Sequence, residues 1–153
     1  MPNTYTQIYV HIVFAVKHRQ NLIQKQWQDE LYKYICGTVN AKKQKVYAIG
    51  GVEDHIHILV SLRPDRSLSD IVKDIKANSS RWINERRLIS GKFQWQEGFG
   101  AFSYAHSQLD VIINYINNQE QHHEKTAFKD EYREMLDKFN VDFDEKYLFN
   151  WVE

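Results

Sequence analysis

The chain has 153 residues, of which 42% are hydrophobic and 14% aromatic, which excludes a disordered polymer and suits one domain with its own core. A single cysteine, Cys36, excludes an internal disulfide and fits a reducing compartment. Net charge is zero, but Met1 to Lys129 carries 17 basic and 12 acidic residues, whereas Asp130 to Glu153 carries 3 and 8, so a mildly basic body that tolerates a polyanionic partner precedes an acidic end.

The first twenty residues alternate apolar and polar side chains. They lack the continuous apolar core of a signal peptide, and the longest apolar runs are only a few residues. A cytoplasmic protein is the expectation. There is no internal repeat and no Pro/Gly-rich linker, so residues 1–153 read as a single domain, with about 127–153 as a C-terminal helical and aromatic appendage.

Thr6 to Lys17 reads as a strand. Ile8, Val10, Ile12, Phe14 and Val16 share one face, and Tyr9, His11 and Val13 share the other. Gln24 to Asn40 has helical spacing in Trp27, Leu31, Tyr34, Ile35 and Thr38. Val46–Val52 and His55–Leu62 read as two strands. The short Glu53-Asp54 link between them predicts an antiparallel hairpin. Ser67 caps a helix whose apolar stripe runs from Leu68 through Ile75 to Ile83. Phe93–Trp95 and Phe102–Ala105 read as short strands around the Gly98–Gly100 turn. Ser107 is expected to cap a helix to about His123, and a last helix spans about Ala127–Phe139 before an aromatic tail, Phe143 to Trp151. The order β-α-β-β-α-β predicts an α+β, ferredoxin-like split βαβ fold. Its antiparallel sheet has helices mainly on one face and the other face free for a site.

Three groups carry candidate chemistry. His55 and His57 alternate on one strand, so both imidazoles point the same way, about 7 Å apart along the chain. Neutral ring nitrogens in that arrangement suit a metal ion, and a half-exposed strand with two histidines is the plain alternative. A hydrolase with three alternating histidines would need a third at position 59, which is Leu59. Tyr115 and Gln119 stand at i and i+4 on a helix and project together. A tyrosine hydroxyl is a nucleophile towards phosphorus and a Gln oxygen is a metal ligand, whereas a packed tyrosine with a surface hydroxyl is the plain reading. Lys73, Lys76 and Arg81, with Arg86 and Arg87 further along, line a helix, and Lys42, Lys43 and Lys45 precede a strand. They suit a phosphate backbone, or equally a solvated charged face. Trp95 and Phe99 suit either base stacking or the core.

Together these segments resemble the HUH-superfamily single-tyrosine transposases of insertion sequences, the IS200-like family, including relatives that accompany repetitive palindromes. The resemblance rests on Tyr9-Val10-His11-Ile12-Val13-Phe14 followed by Lys17-His18-Arg19, and on Asp54-His55-Ile56-His57-Ile58-Leu59-Val60. It continues through Trp95-Gln96-Glu97-Gly98-Phe99, Tyr115-Ile116-Asn117-Asn118-Gln119, Glu131-Tyr132 and Phe143–Phe149. It implies that His55, His57 and Gln119 hold a divalent metal, Mg2+ or Mn2+. It implies that Tyr115 attacks single-stranded DNA, leaving a 5′-phosphotyrosine and a free 3′-hydroxyl, with a DNA hairpin at the element ends. It also implies a homodimer with shared active sites, His55 and His57 from one protomer and Tyr115 and Gln119 from the other. A non-catalytic ferredoxin-like nucleic-acid-binding module is the rival reading, and a metal-binding protein without covalent chemistry is another. Neither explains a His pair together with a Tyr/Gln pair.

Overall fold

A computed structural model describes residues 3–123 and 127–142. The sheet has four strands: β1 (Tyr9–Ala15), β2 (Lys45–Val52), β3 (His55–Ser61) and β4 (Gly100–Tyr104). Their spatial order is β2-β3-β1-β4 and every pairing is antiparallel. Helix α1 (Lys25–Ala41) links β1 to β2, and α2 (Leu68–Glu85) links β3 to β4. Each link steps over one intervening strand, as the split βαβ arrangement requires.

The first face of the sheet is built as the alternation predicts. Val10, Ile12 and Phe14 of β1 and Ile56, Ile58 and Val60 of β3 pack with Leu31 and Ile35 of α1 and Ile71, Ile75 and Ile83 of α2. Ser67 Oγ accepts from the Asp70 backbone N–H at 3.1 Å and fixes the start of α2.

The second face differs from expectation. It is covered rather than open, by α3 (Leu109–Asn117), α4 (Gln119–His123) and α5 (Phe128–Lys138). Leu109, Ile112 and Ile116 meet Ala48 and Leu59. Phe128, Met135 and Leu136 meet Val13, Ala15 and Phe102. The helix expected to run unbroken from Ser107 to His123 is interrupted at Asn118, which has φ −106° and ψ 24°. Ser107 does not cap it. Residues 106–108 form a single 3-10 turn, and the Ala105 N–H is satisfied by Gln108 Oε1 at 2.9 Å.

Phe93–Trp95 is not a strand. Trp95 makes only one bridge, to Val16, and its side chain enters the core, with the indole N–H donating to Ser79 Oγ at 2.9 Å. Trp95 is therefore a core residue, while Phe99 stays exposed. The expected tail from Phe143 lies outside the described residues.

Two features of β2 let α3 sit close. The pairing of β2 with β3 shifts register between Val46 and Ala48, a bulge that rephases the strand. Gly50 then faces α3 so closely that a Cβ would lie 2.3 Å from the Ile116 carbonyl oxygen. Gly50→Ala is expected to push α3 off the sheet and cost about 1–3 kcal/mol, read from thermal unfolding. Tyr115 precedes Ile116, so the same displacement moves the tyrosine.

Candidate active site

The site lies between the second sheet face and α3, α4 and α5. His55 and His57 point inward from β3 and are fully buried. Their ring centroids are 5.1 Å apart. Both present Nε2 to Glu131 of α5: His57 Nε2 lies 3.1 Å from Oε1 and His55 Nε2 lies 3.4 Å from it. His123 Nε2 reaches the same oxygen at 3.0 Å. The other oxygen, Oε2, accepts from the Tyr115 hydroxyl and, at 3.2 Å, from Gln119 Nε2. Gln119 Oε1 is 3.3 Å from His55 Nε2. One carboxylate thus joins the His pair to the Tyr/Gln pair within a single chain.

The ligand atoms of His55, His57, His123 and Glu131 all lie within 4.8 Å of one another. Three imidazole nitrogens and one carboxylate oxygen converging on a small volume are a donor set that fits a divalent cation. Backing groups orient both histidines. His55 Nδ1 is 2.6 Å from Asp54 Oδ1, and its ring stacks on Phe128 with centroids 4.0 Å apart. His57 Nδ1 is 2.8 Å from His11 Nε2.

The family described as "Transposase IS200 like" matches residues 4–119. The chain belongs to this family. The ISDra2 transposase TnpA of Deinococcus radiodurans is 23% identical over 118 residues, covering 74% of this chain and 84% of that relative. A crystallised candidate transposase from Deinococcus radiodurans R1 has a TM-score of 0.62 at 20% identity, over 76% of this chain and 94% of that one. A REP-associated tyrosine transposase bound to a REP hairpin has a TM-score of 0.60 at 17% identity, over 79% and 72%. These structures share the fold. The family match stops at Gln119, so His123, α5 and Glu131 lie beyond it.

The electrostatics of this transposase site follow from burial against a shared charge. Burial by itself would raise the pKa of Glu131, but the imidazoles of His123, His55 and His57 hold it far below the usual carboxylate range. Burial would lower His55, yet Asp54 and Glu131 raise it to about 9. Burial lowers His57 to about 4, only partly offset by Glu131. Burial and then the Glu131 charge push Tyr115 well above the ordinary tyrosine value.

These directions set a pH optimum for the metal-free protein. His55 binds its proton more tightly folded than unfolded, so its contribution is complete below about pH 6.5 and is lost as pH rises through about 9. His57 is held neutral, so its contribution is complete above about pH 6.5 and is lost as pH falls towards 4. Glu131, held low, gives its full contribution above about pH 4.5 and loses it progressively in stronger acid. Thermal unfolding in the presence of a chelator is expected to show maximal Tm near neutrality, with a loss on each side on the order of 3 kcal/mol. A flat profile from pH 5 to pH 9 contradicts this coupling.

The basic residues lie away from this cluster. Lys42, Lys43 and Lys45 lie at the turn into β2, and Lys45 pairs with Ser61 at the end of the hairpin remote from His55. Lys73, Lys76 and Arg81 belong to α2, on the opposite face of the sheet. Lys76 is spent internally: its ammonium donates to the Gln96 carbonyl at 2.8 Å and the Gly98 carbonyl at 2.5 Å, and burial lowers its pKa to about 8. Arg81 donates to Asn78 Oδ1 at 2.6 Å.

Sequence reasoning missed His11 and Glu131 as members of the cluster; His122 and His123 were readable as an extension of the site, with a solvated helix end as the plainer reading, and His123 joins the cluster. His11 was legible only as a polar residue on the site face of β1. Glu131 is one of eight acidic residues after Lys129, and nothing in its spacing distinguishes it.

No helix among the described residues is long and apolar enough to cross a membrane.

Proposed function

We propose that this transposase cleaves and rejoins single-stranded DNA through Tyr115, forming a covalent 5′-phosphotyrosine, with a divalent metal, Mg2+ or Mn2+, at His55 and His57. The observation that carries this reading is the convergence of the Tyr115 hydroxyl and both histidine Nε2 atoms on Glu131. Glu131, His123 and Gln119 offer the remaining donors. A bound metal supplies Lewis acidity, offsetting charge that grows on the phosphate oxygens. The chain's own residues do the rest. Asp54 and Phe128 hold His55, Gln119 holds Glu131, and Gly50 lets α3 carry Tyr115 over the His57 ring, 5.7 Å between centroids. A phosphotyrosine conserves the energy of the broken bond, so rejoining needs no nucleotide.

The relative bound to a REP hairpin supports a DNA hairpin as the partner. The exposed Lys42, Lys43, Lys45, Lys73 and Arg81 are the candidates for phosphate contacts away from the cut, and Lys76 is not among them. The reading treats residues 1–153 as one cytoplasmic transposase domain with α5 as its appendage. The deciding experiment is incubation with a hairpin-bearing single-stranded oligonucleotide and Mn2+, then a denaturing gel. A protein–DNA adduct that survives denaturation is expected. DNA binding without any adduct favours the rival binding-module reading.

Geometry also favours a site complete in one chain. The expected homodimer with shared sites would take Tyr115 and Gln119 from a partner, yet both already contact Glu131 beside their own chain's His pair. A homodimer remains compatible with two self-contained sites. Mixing His57→Ala with Tyr115→Phe under confirmed subunit exchange is expected to recover no adduct. Recovered adduct reinstates sharing.

A further inference from the structure

His55 and His57 are held from behind in different ways. Asp54 backs His55, and a carboxylate only accepts, so His55 Nδ1 donates to it in either protonation state, and Nε2 is the atom a cation takes once its proton has left. His57 is backed by another imidazole, His11 Nε2, at 2.8 Å. An imidazole stands on either side of a hydrogen bond according to its tautomer. The sheet register makes this contact. His57 pairs with Val13, and His11 lies two residues along β1 on the same face, the diagonal neighbour. The rings of Phe102, Tyr104 and Tyr115, 6.0 to 6.3 Å from His11 between centroids, enclose it.

Two neutral arrangements satisfy the pair. In the first, His11 Nε2–H donates to His57 Nδ1, and His57 Nε2–H donates to Glu131. His57 then offers no lone pair to a cation. In the second, His57 Nδ1–H donates to His11 Nε2, His57 Nε2 is bare, and the His11 proton sits on Nδ1. That Nδ1 is buried and finds no hydrogen-bond partner among the described residues. Without a cation the first arrangement is favoured, because it leaves no buried N–H unpaired. With a cation on His57 Nε2 only the second is possible.

We infer that His11 is a positioning residue whose tautomer decides whether His57 is a metal ligand. The inference rests on the metal reading above. Both arrangements hold two protons on the two rings, so loading relocates protons and the pair releases none.

The test uses the full-length chain, 15N-labelled, with Zn2+ as a diamagnetic probe. Imidazole 1H–15N correlation spectra are expected to show His57 with its proton on Nε2 before Zn2+ and on Nδ1 after, and His11 moving from Nε2–H to Nδ1–H. In Mn2+ calorimetry, His11→Phe removes the acceptor and is expected to weaken binding about 10- to 100-fold. His11→Gln restores an acceptor near the position of Nε2 and is expected to stay within a few-fold of the unaltered protein. A packing role predicts the reverse order, because Phe suits an aromatic enclosure better than Gln. If His11→Phe fails to fold, the spectra of the unaltered protein decide. Metal uptake with the His57 proton remaining on Nε2, or unchanged affinity in folded His11→Phe, overturns this inference alone. No metal uptake by the unaltered protein overturns the metal reading with it.

Discussion

Tyr115→Phe is expected to abolish the covalent protein–DNA adduct, by at least ~10^3-fold, while the protein still folds and binds the hairpin. Only the hydroxyl is removed. The ring stays against His57 and His122, with centroids at 5.7 and 5.2 Å. Glu131 Oε2 loses one donor but keeps Gln119 Nε2, so the stability cost is about 1–2 kcal/mol. The gel and a thermal melt together separate the two effects. An adduct that persists moves the role to another tyrosine, and Tyr104 is the nearest candidate in sequence. Burial raises its pKa to about 12, and the hydroxyl that reaches Glu131 beside the His pair is that of Tyr115.

Tyr115 donates to Glu131, which projects from α5. Burial and the neighbouring charge favour the neutral phenol. A phosphate that reaches the tyrosine oxygen must therefore compete with Glu131 for the same ground. Glu131 lies beyond the family match, on α5.

The parts of the fold that were legible in the sequence are those governed by a strict period. β1 and β3 alternate cleanly, so both faces are readable, and the alternation alone puts the two histidines on the face opposite the main core. α2 carried both an apolar stripe and a cap. The failures have local causes. Phe93–Trp95 has β-formers but packs individually into the core, where Ser79 satisfies the indole. The break at Asn118 is invisible to periodicity, because Tyr115 and Gln119 stay on one side across it, with Gln119 Nε2 still 3.4 Å from the Tyr115 carbonyl. The roof over the second face was unreadable because α5 is amphipathic in the ordinary way, and its one buried carboxylate looks like its solvated neighbours. The separation of the basic residues from the His pair was not readable, because a linear count of charge ignores which face of the sheet each element covers.

The second large effect belongs to the histidines themselves. His55→Ala and His57→Ala are each expected to weaken Mn2+ binding at least ~100-fold and to abolish the adduct, and a chelator is expected to do the same to the unaltered protein. The two rings present Nε2 to one carboxylate oxygen, at 3.4 and 3.1 Å, so neither alone completes a site. The metal-free stabilities should diverge where the affinities do not. His55 is held charged between Asp54 and Glu131, so its loss leaves Glu131 less compensated and lowers Tm most below about pH 9. His57 is held neutral against His11, so its loss removes a buried base that resists acid, and the variant should lose less than the parent as pH falls from 6.5 towards 4. Calorimetric titration across both variants, with Tm measured in chelator at pH 5, 7 and 9, tests the whole set. Equal affinity for Mn2+ in the parent and both variants reduces the His pair to core polar residues. Lost affinity with an intact adduct instead separates metal binding from the chemistry of Tyr115.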